Sequence, residues 1–332
     1  MTTLPTPLIE SFRRDGTIVA DDAITPAQLA ALRAEFDAWW EESRNHDRNY
    51  GEMIDGRPRF DLQIPGHTRA APLLRRVNSP TEISAAYLDV VANSRIPDMV
   101  VDLIGANVKF HHSKINAKLP GAGTEVKWHQ DFPFTPHSND DLVTALLALD
   151  DVDETNGPLI AALGSHQDGL AGLWHNGIFT GVAGEQESTA WAKEAKTFTM
   201  KAGSVCLMHT RAGHSSGPNL GTRPRRLFIA VYSAEDAIPL SPNPLPSKHE
   251  GLLVRGERTG RVRSVPFELK LPQRPSTENL AGAHVVENGV DLFQRRLLDL
   301  GGHQAVGGEG DGFGEVEAGA DVGASISSPQ PS

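Results

Sequence analysis

Apolar residues near the start of the chain recur at helical spacing. Leu29, Leu32, Phe36 and Trp39 or Trp40 fall three or four apart, behind a Thr25 cap, Pro26 in the first turn and Gln28 completing a capping box. A second helical region is predicted at about 80–104, interrupted near Pro97. Between them, residues 44–75 are rich in Arg, Asp, Gly and Pro and show little periodicity, which predicts a long structured loop able to reach over a site. From Asn107 the texture changes to short β-type runs, 107–118, 142–149, 203–209 and 226–233, separated by Gly, Pro, Asn and Asp. The expected fold is mainly β, a barrel or sandwich with flanking α-helices. In the first of these strands Val108, Phe110, His112, Lys114, Asn116 and Lys118 share one face, and beyond Phe110 every one of them is polar. Such a face lines solvent or a polar cavity. The stretch 160–200, with Trp174, His175, Phe179 and Trp191, reads as an insertion of turns and a short helix.

The expected organisation is one domain over 1–300, with a helical part to about 105, a β core over 106–240 and an extension over 241–300. Residues 301–332 are Gly, Ser, Ala and acid with almost nothing to bury, and are expected to be a disordered tail. At 332 residues and 39% apolar content the chain can bury a sizeable core. Its formal charge of −11, with Lys and Arg scattered in ones and twos, offers no basic stripe for a phosphate backbone, so nucleic acid is not an expected partner. Part of that charge sits at Glu309, Asp311, Glu315, Glu317 and Asp321, so it carries no message about a substrate. The single Cys206 excludes a disulfide framework and Cys-based metal sites. No run approaches the ~18 apolar residues of a membrane span. A cytoplasmic protein with no membrane partner is expected.

Candidate chemistry centres on Trp128-His129-Gln130-Asp131, where two potential ligands stand two residues apart, and on His214 further along. Two His and one carboxylate leave open positions on a metal, which suits non-haem iron(II) binding a co-substrate and dioxygen together. A structural zinc site would be closed by four ligands. A His-x-Asp pair by itself arises often by chance. What adds weight is a second motif, His214-Ser215-Ser216-Gly217-Pro218-Asn219, with Arg225 eleven residues after His214.

The whole arrangement resembles the phytanoyl-CoA dioxygenase family of 2-oxoglutarate-dependent oxygenases, which includes ectoine hydroxylases. The resemblance covers about 107–235. It is carried by Asn116-Ala117-Lys118-Leu119-Pro120-Gly121, the segment Trp128 to Phe134, Asn156-Gly157-Pro158-Leu159, Gly164-Ser165-His166 and the block from His214 to Arg225. It implies a double-stranded β-helix, or jelly-roll, core. It also implies that His129, Asp131 and His214 hold Fe(II), with 2-oxoglutarate as co-substrate and O2 as oxidant, releasing succinate and CO2 as a small organic metabolite is hydroxylated. Arg225 then pairs with the distal carboxylate of 2-oxoglutarate, helped by the Ser216 hydroxyl, with Lys118 as a second contact and Asn116 behind it. A planar guanidinium suits that task.

Arg223 and Arg226 compete with Arg225, but Arg226 points to the opposite strand face and Arg223 precedes Pro224 in a turn. His209 is a rival to His214, though the Ser216 and Arg225 spacings fit only His214. His112 lies on the polar strand face and is a candidate substrate contact. Trp174 and Phe179 either wall an apolar pocket or pack the insertion. Asp131 argues against halogenation, whereas desaturation, epoxidation or rearrangement would use the same residues. Two other classes remain open: a zinc hydrolase, for which no His-Glu-x-x-His is present, and a non-catalytic small-molecule-binding barrel. The continuation Phe132-Pro133-Phe134-Thr135-Pro136-His137 departs from that of ectoine hydroxylases, and no basic cluster suits the phosphates of coenzyme A.

Overall fold

The computed structural model describes residues 2–121 and 123–272. The capping box forms as expected: Thr25 and Gln28 exchange hydrogen bonds at the start of α2 (Pro26–Glu42), which buries Leu32, Phe36 and Trp39. α1 (Thr6–Asp15) precedes it, and α3 (Ala85–Asn93) and α4 (Ile96–Ile104) follow. The break in the second helical region lies at Ser94 and Arg95, just ahead of Pro97. Pro97 occupies the first turn of α4, where its missing N–H costs nothing.

The strands are β1 (Thr17–Ala20), β2 (Tyr50–Glu52), β3 (Pro58–Leu62), β4 (Leu74–Asn78), β5 (Val108–Lys118), β6 (Val126–His129), β7 (Leu142–Ala148) and β8 (Leu159–Ala162). They continue with the short pair β9 (Trp174–His175) and β10 (Ile178–Phe179), then β11 (Ala195–Phe198), β12 (Val205–His209), β13 (His214–Ser216), β14 (Arg225–Ala234) and β15 (Leu253–Arg255). One antiparallel sheet runs β1-β12-β7-β14-β5-β4-β3-β2, with β15 also on β5. A second runs β11-β8-β13-β6. The two close face to face, because Leu146, Ala148, Cys206, Met208, Leu227 and Ile229 of the large sheet share one apolar cluster with Leu159, Ala161 and Phe198 of the small one. The outer face of the large sheet packs on the helices, with Phe110, Ile115, Phe228, Ala230 and Tyr232 against Leu32, Phe36, Trp39, Tyr87 and Val91. β14 is therefore apolar on both faces, which gives its continuous hydrophobic run.

Several elements differ from the sequence reading. Residues 44–75 are not one long loop, since β2, β3 and the start of β4 lie there and extend the large sheet beyond β5. Their alternation is hidden by a bulge: Asp61 pairs with Arg76 but Leu62 pairs with Leu74, so Arg75 is an extra residue in β4. β1, too short to show a period, adds to the edge of the large sheet against β12. The insertion is shorter than 160–200, because β8 and β11 at its two ends belong to the small sheet. Inside it lie the β9–β10 pair and α5 (Glu185–Lys193). No helix among the described residues is long and apolar enough to cross a membrane. The predicted tail over 301–332, and the end of the extension from 273, lie outside the described residues.

Candidate metal centre

β13 carries His214 between β6 and β8, in register with His129 on one side and Ala161 on the other. That pairing brings two histidines, eighty-five residues apart in the chain, to a ring-centroid separation of 4.1 Å. Asp131 has already left the strand: its backbone is helical and opens a 3-10 turn at Phe132–Phe134, which swings the carboxylate back toward the imidazoles. Its Oδ1 lies 3.6 Å from Nε2 of His129 and 3.7 Å from Nε2 of His214. Ligand atoms of the three residues all fall within 4.8 Å of one another. Donors ~2.1 Å from a shared ion and at right angles to it would stand ~3 Å apart, so a small contraction closes the set.

Each donor is aimed by a second contact. Nδ1 of His129 is 2.8 Å from the Lys127 carbonyl and Nδ1 of His214 is 3.0 Å from the Ala212 carbonyl. A carbonyl only accepts, so both protons sit on Nδ1 and both Nε2 lone pairs face Asp131. Thr144, on β7, donates from Oγ1 to Oδ2 of Asp131 at 2.7 Å, leaving Oδ1 for a metal. Burial, followed by the neighbouring His214, holds the His129 imidazole neutral, with its pKa at about 3. Burial works to raise Asp131, but His214, His129 and Lys114 together bring its pKa below the ordinary carboxylate value. The result is a half-buried carboxylate flanked by the neutral His129 and by His214, a donor set that fits a divalent cation with open positions. Ser165 supports the arrangement from behind: it donates to the Ala162 carbonyl and accepts from the Gly213 N–H, just ahead of His214.

A second cluster of polar groups lies where β5 and β14 pair, Lys118 opposite Arg225. Arg225 is 3% exposed; one guanidinium nitrogen donates to the Gly157 carbonyl at 2.9 Å and its Nε has no partner. Nζ of Lys118 donates to Oγ of Ser216 at 2.7 Å, to the Ser216 carbonyl at 3.1 Å and to the Gly217 carbonyl. Burial and then Arg225 pull its pKa down to about 6. Gly157, at φ +79°, admits no side chain here: a Cβ would stand 2.7 Å from the Gly217 oxygen and 2.8 Å from Cδ of Lys118.

The remaining sequence candidates separate cleanly. Arg226 faces outward and bonds Asp150 and Asp37, and the exposed Arg223 lies 3.6 Å from Asp153, so neither enters the barrel. His209 packs against His166 and Phe12, away from the triad. Asn116 accepts from Nε of Arg76 at 3.2 Å. His112 is buried on the inward face of β5. Phe179 packs on Phe134 at 5.3 Å and on Trp174 at 5.4 Å, while Phe134 meets the His129 ring edge-on at 5.9 Å. An aromatic wall thus runs from the triad out to the insertion. Thr144 escapes the sequence reading; its only signal is one hydroxyl in the otherwise apolar run of β7.

A barrel of two antiparallel sheets with a His-x-Asp…His triad defines a class of non-haem iron oxygenases, and the comparisons agree. The model of the phytanoyl-CoA dioxygenase family matches residues 12–227, and the chain belongs to that family. A probable alpha-ketoglutarate-dependent hypophosphite dioxygenase of Stutzerimonas stutzeri is 36% identical over 229 residues, 67% of this chain and 78% of the relative. An ectoine dioxygenase of Streptomyces anulatus is 28% identical over 248 residues, 69% of this chain and 78% of the relative. Among solved structures, the carbocyclase SnoK from nogalamycin biosynthesis has a TM-score of 0.57 at 19% identity, covering 77% of this chain and 95% of that one. EctD from S. alaskensis with bound Fe has 0.56 at 20%, covering 81% and 89%. The protein is an Fe(II)- and 2-oxoglutarate-dependent dioxygenase.

Proposed function

We propose that His129, Asp131 and His214 hold the iron, that Arg225 takes the distal carboxylate of 2-oxoglutarate beside Ser216 and Lys118, and that a small metabolite is hydroxylated between β5 and the aromatic wall of Phe134, Phe179 and Trp174. The observation that carries this is the convergence of two tautomer-locked imidazoles on one free oxygen of a half-buried carboxylate. Iron(II) with 2-oxoglutarate and dioxygen supplies the oxidation, the keto acid being split to succinate and CO2.

The chain's own share is positional. Thr144 keeps Asp131 to a single donor oxygen. Arg225, dry and with Nε unpartnered, offers a planar donor pair to a carboxylate in a site where such a bond is strong. Asn219 donates to the carbonyls of Lys118 and Arg223 and so ties the turn between β13 and β14 to the cradle. The buried, solitary Cys206 fits a reducing cytoplasm. The curated relatives named for hypophosphite and for ectoine mark how wide the substrate range is among similar chains.

Anaerobic reconstitution with iron(II) and 2-oxoglutarate tests the reading. A weak visible charge-transfer band is expected, absent in His214→Ala. Arg225→Lys should keep the band but raise the 2-oxoglutarate needed for it by roughly 10–100-fold, the loss of one charged hydrogen bond. Iron bound without the band would sink the assignment.

A further inference from the structure

The inward face of β5 holds two side chains that neither the triad nor the Arg225 cradle employs. His112 is 8% exposed, and its Nδ1 has no hydrogen-bond partner. Lys114, two residues along on the same face, is half-buried and makes no hydrogen bond or ion pair among the described residues. Asn78 stands directly opposite Lys114 on β4; it spends Nδ2 on the Pro58 carbonyl and Asp61, and its Oδ1 is also left without a partner. Unsatisfied polar atoms gathered on the inward face of two paired strands, beside a half-buried lysine, mark a site for a polar ligand.

The sign of that ligand follows from the charges around Lys114. Burial, and after it Arg76, drives its pKa down to about 8; Asp131 opposes this and Arg75 adds to it. Both guanidiniums are turned to this side by the bulge in β4 and lie 3.6 and 3.8 Å from Asp61. Among the described residues Asp131 is the acid that most favours the Lys114 ammonium. Once a divalent metal takes the Asp131 charge, the ammonium faces like charges, and it must shed its proton or meet an anion.

We propose that Lys114, with His112 beside it, receives an anionic oxygen group of the substrate, a carboxylate or a phosphorus oxyanion, next to the metal. This rests on the reading of Asp131 as a metal ligand. It assigns the substrate a negative charge, which neither the acidic composition nor the family membership does. The site is distinct from the keto-acid cradle: Lys114 and Lys118 stand ~13 Å apart along one strand, with Asn116 and its Arg76 bond between them. Asn78 Oδ1 would accept from a hydroxyl or N–H elsewhere on the same substrate.

The test uses Mn(II)-loaded full-length protein with saturating 2-oxoglutarate, and reads paramagnetic relaxation of small probes in solution. Acetate and acetamide differ in charge but hardly in shape, and phosphite supplies the phosphorus arm. Relaxation of acetate or phosphite well above that of acetamide is expected, lost at least tenfold in Lys114→Met and largely retained in Lys114→Arg. The anion that relaxes more strongly tells carboxylate from phosphorus oxyanion. Equal relaxation of acetate and acetamide, no relaxation by any anion, or full retention in Lys114→Met would each overturn the proposal. The iron charge-transfer band, recorded on the same variants, keeps the two readings apart: Lys114→Met should preserve it, and its absence in the parent protein would count against the oxygenase site rather than against the anion site.

Discussion

The two halves of the barrel interior are built on the same sheet face yet differ in kind. On β7, β12 and β14 the inward positions Leu146, Ala148, Cys206, Met208, Leu227 and Ile229 make a dry cluster with the small sheet. On β5 and β4 the inward positions are His112, Lys114, Asn116, Lys118, Arg76 and Asn78. Burying such groups costs free energy unless each is paired, whereas burying the first set stabilises the fold. The apolar half therefore holds the barrel closed, and the polar half exists for what it binds. Thr144 sits on the line between them, a single hydroxyl on an apolar strand reaching Asp131.

That division can be broken from either side. Asp131→Ala should remove turnover to below detection while the thermal unfolding midpoint stays within a few degrees of the parent, since it also relieves a half-buried charge; a collapse of the fold would mean the polar half is structural after all. Leu146→Ala should do the reverse, lowering stability by ~2–5 kcal/mol through the cavity it leaves, with kcat per folded molecule little changed; urea titration beside an activity assay separates the two. Thr144→Val, close to the same shape without the hydroxyl, should weaken metal affinity by roughly 10–100-fold, as loss of an orienting contact does. Competition against a chelator reads this directly, and an unchanged affinity would leave Thr144 a packing residue. The smallest effect concerns Lys118. With its pKa at about 6 it is mostly uncharged at pH 7, and a dianion arriving beside it raises that value, so 2-oxoglutarate binding at pH 7 should take up a fraction of a proton. Binding heats in buffers of different ionisation enthalpy would show the uptake, and heats independent of buffer would exclude it.

Much of this was legible in the sequence wherever one residue type has one local meaning. The capping box at Thr25, the alternation of β5 from His112 to Lys118 and the His-x-Asp…His…Arg spacing all describe short stretches whose geometry is set by neighbours in the chain; Val108 and Phe110, read as part of the same face, instead turn to the outer side, because a bulge makes His111 an extra residue in β5. Asp131 shows the limit of that: the spacing places it two residues after His129 on an extended segment, but the 3-10 turn is what aims its carboxylate. The strands within 44–75 are unreadable because their inward residues are charged and a bulge breaks the period. The charges at Arg75 and Arg76 look like loop composition until β5 is known to lie beside them. Lys114 is visible as a member of a polar face, but its lack of a partner is a property of three strands at once. The same holds for Gly157, whose need to be glycine comes from Lys118 and Gly217 approaching from elsewhere.

The pairing of β13 with β6 also has a bearing on folding. Strand side chains alternate, so a β13 seated one residue out of step would keep most of its backbone bonds while turning His214 to the wrong side. Such a molecule would look folded by its secondary structure and yet bring together only two of the three proposed ligands. Metal binding adds its free energy to the correctly seated form alone. With His214 as the proposed third ligand, the ion would act as an inspector of strand alignment, and the fraction of a preparation able to retain it would count the molecules assembled without that error.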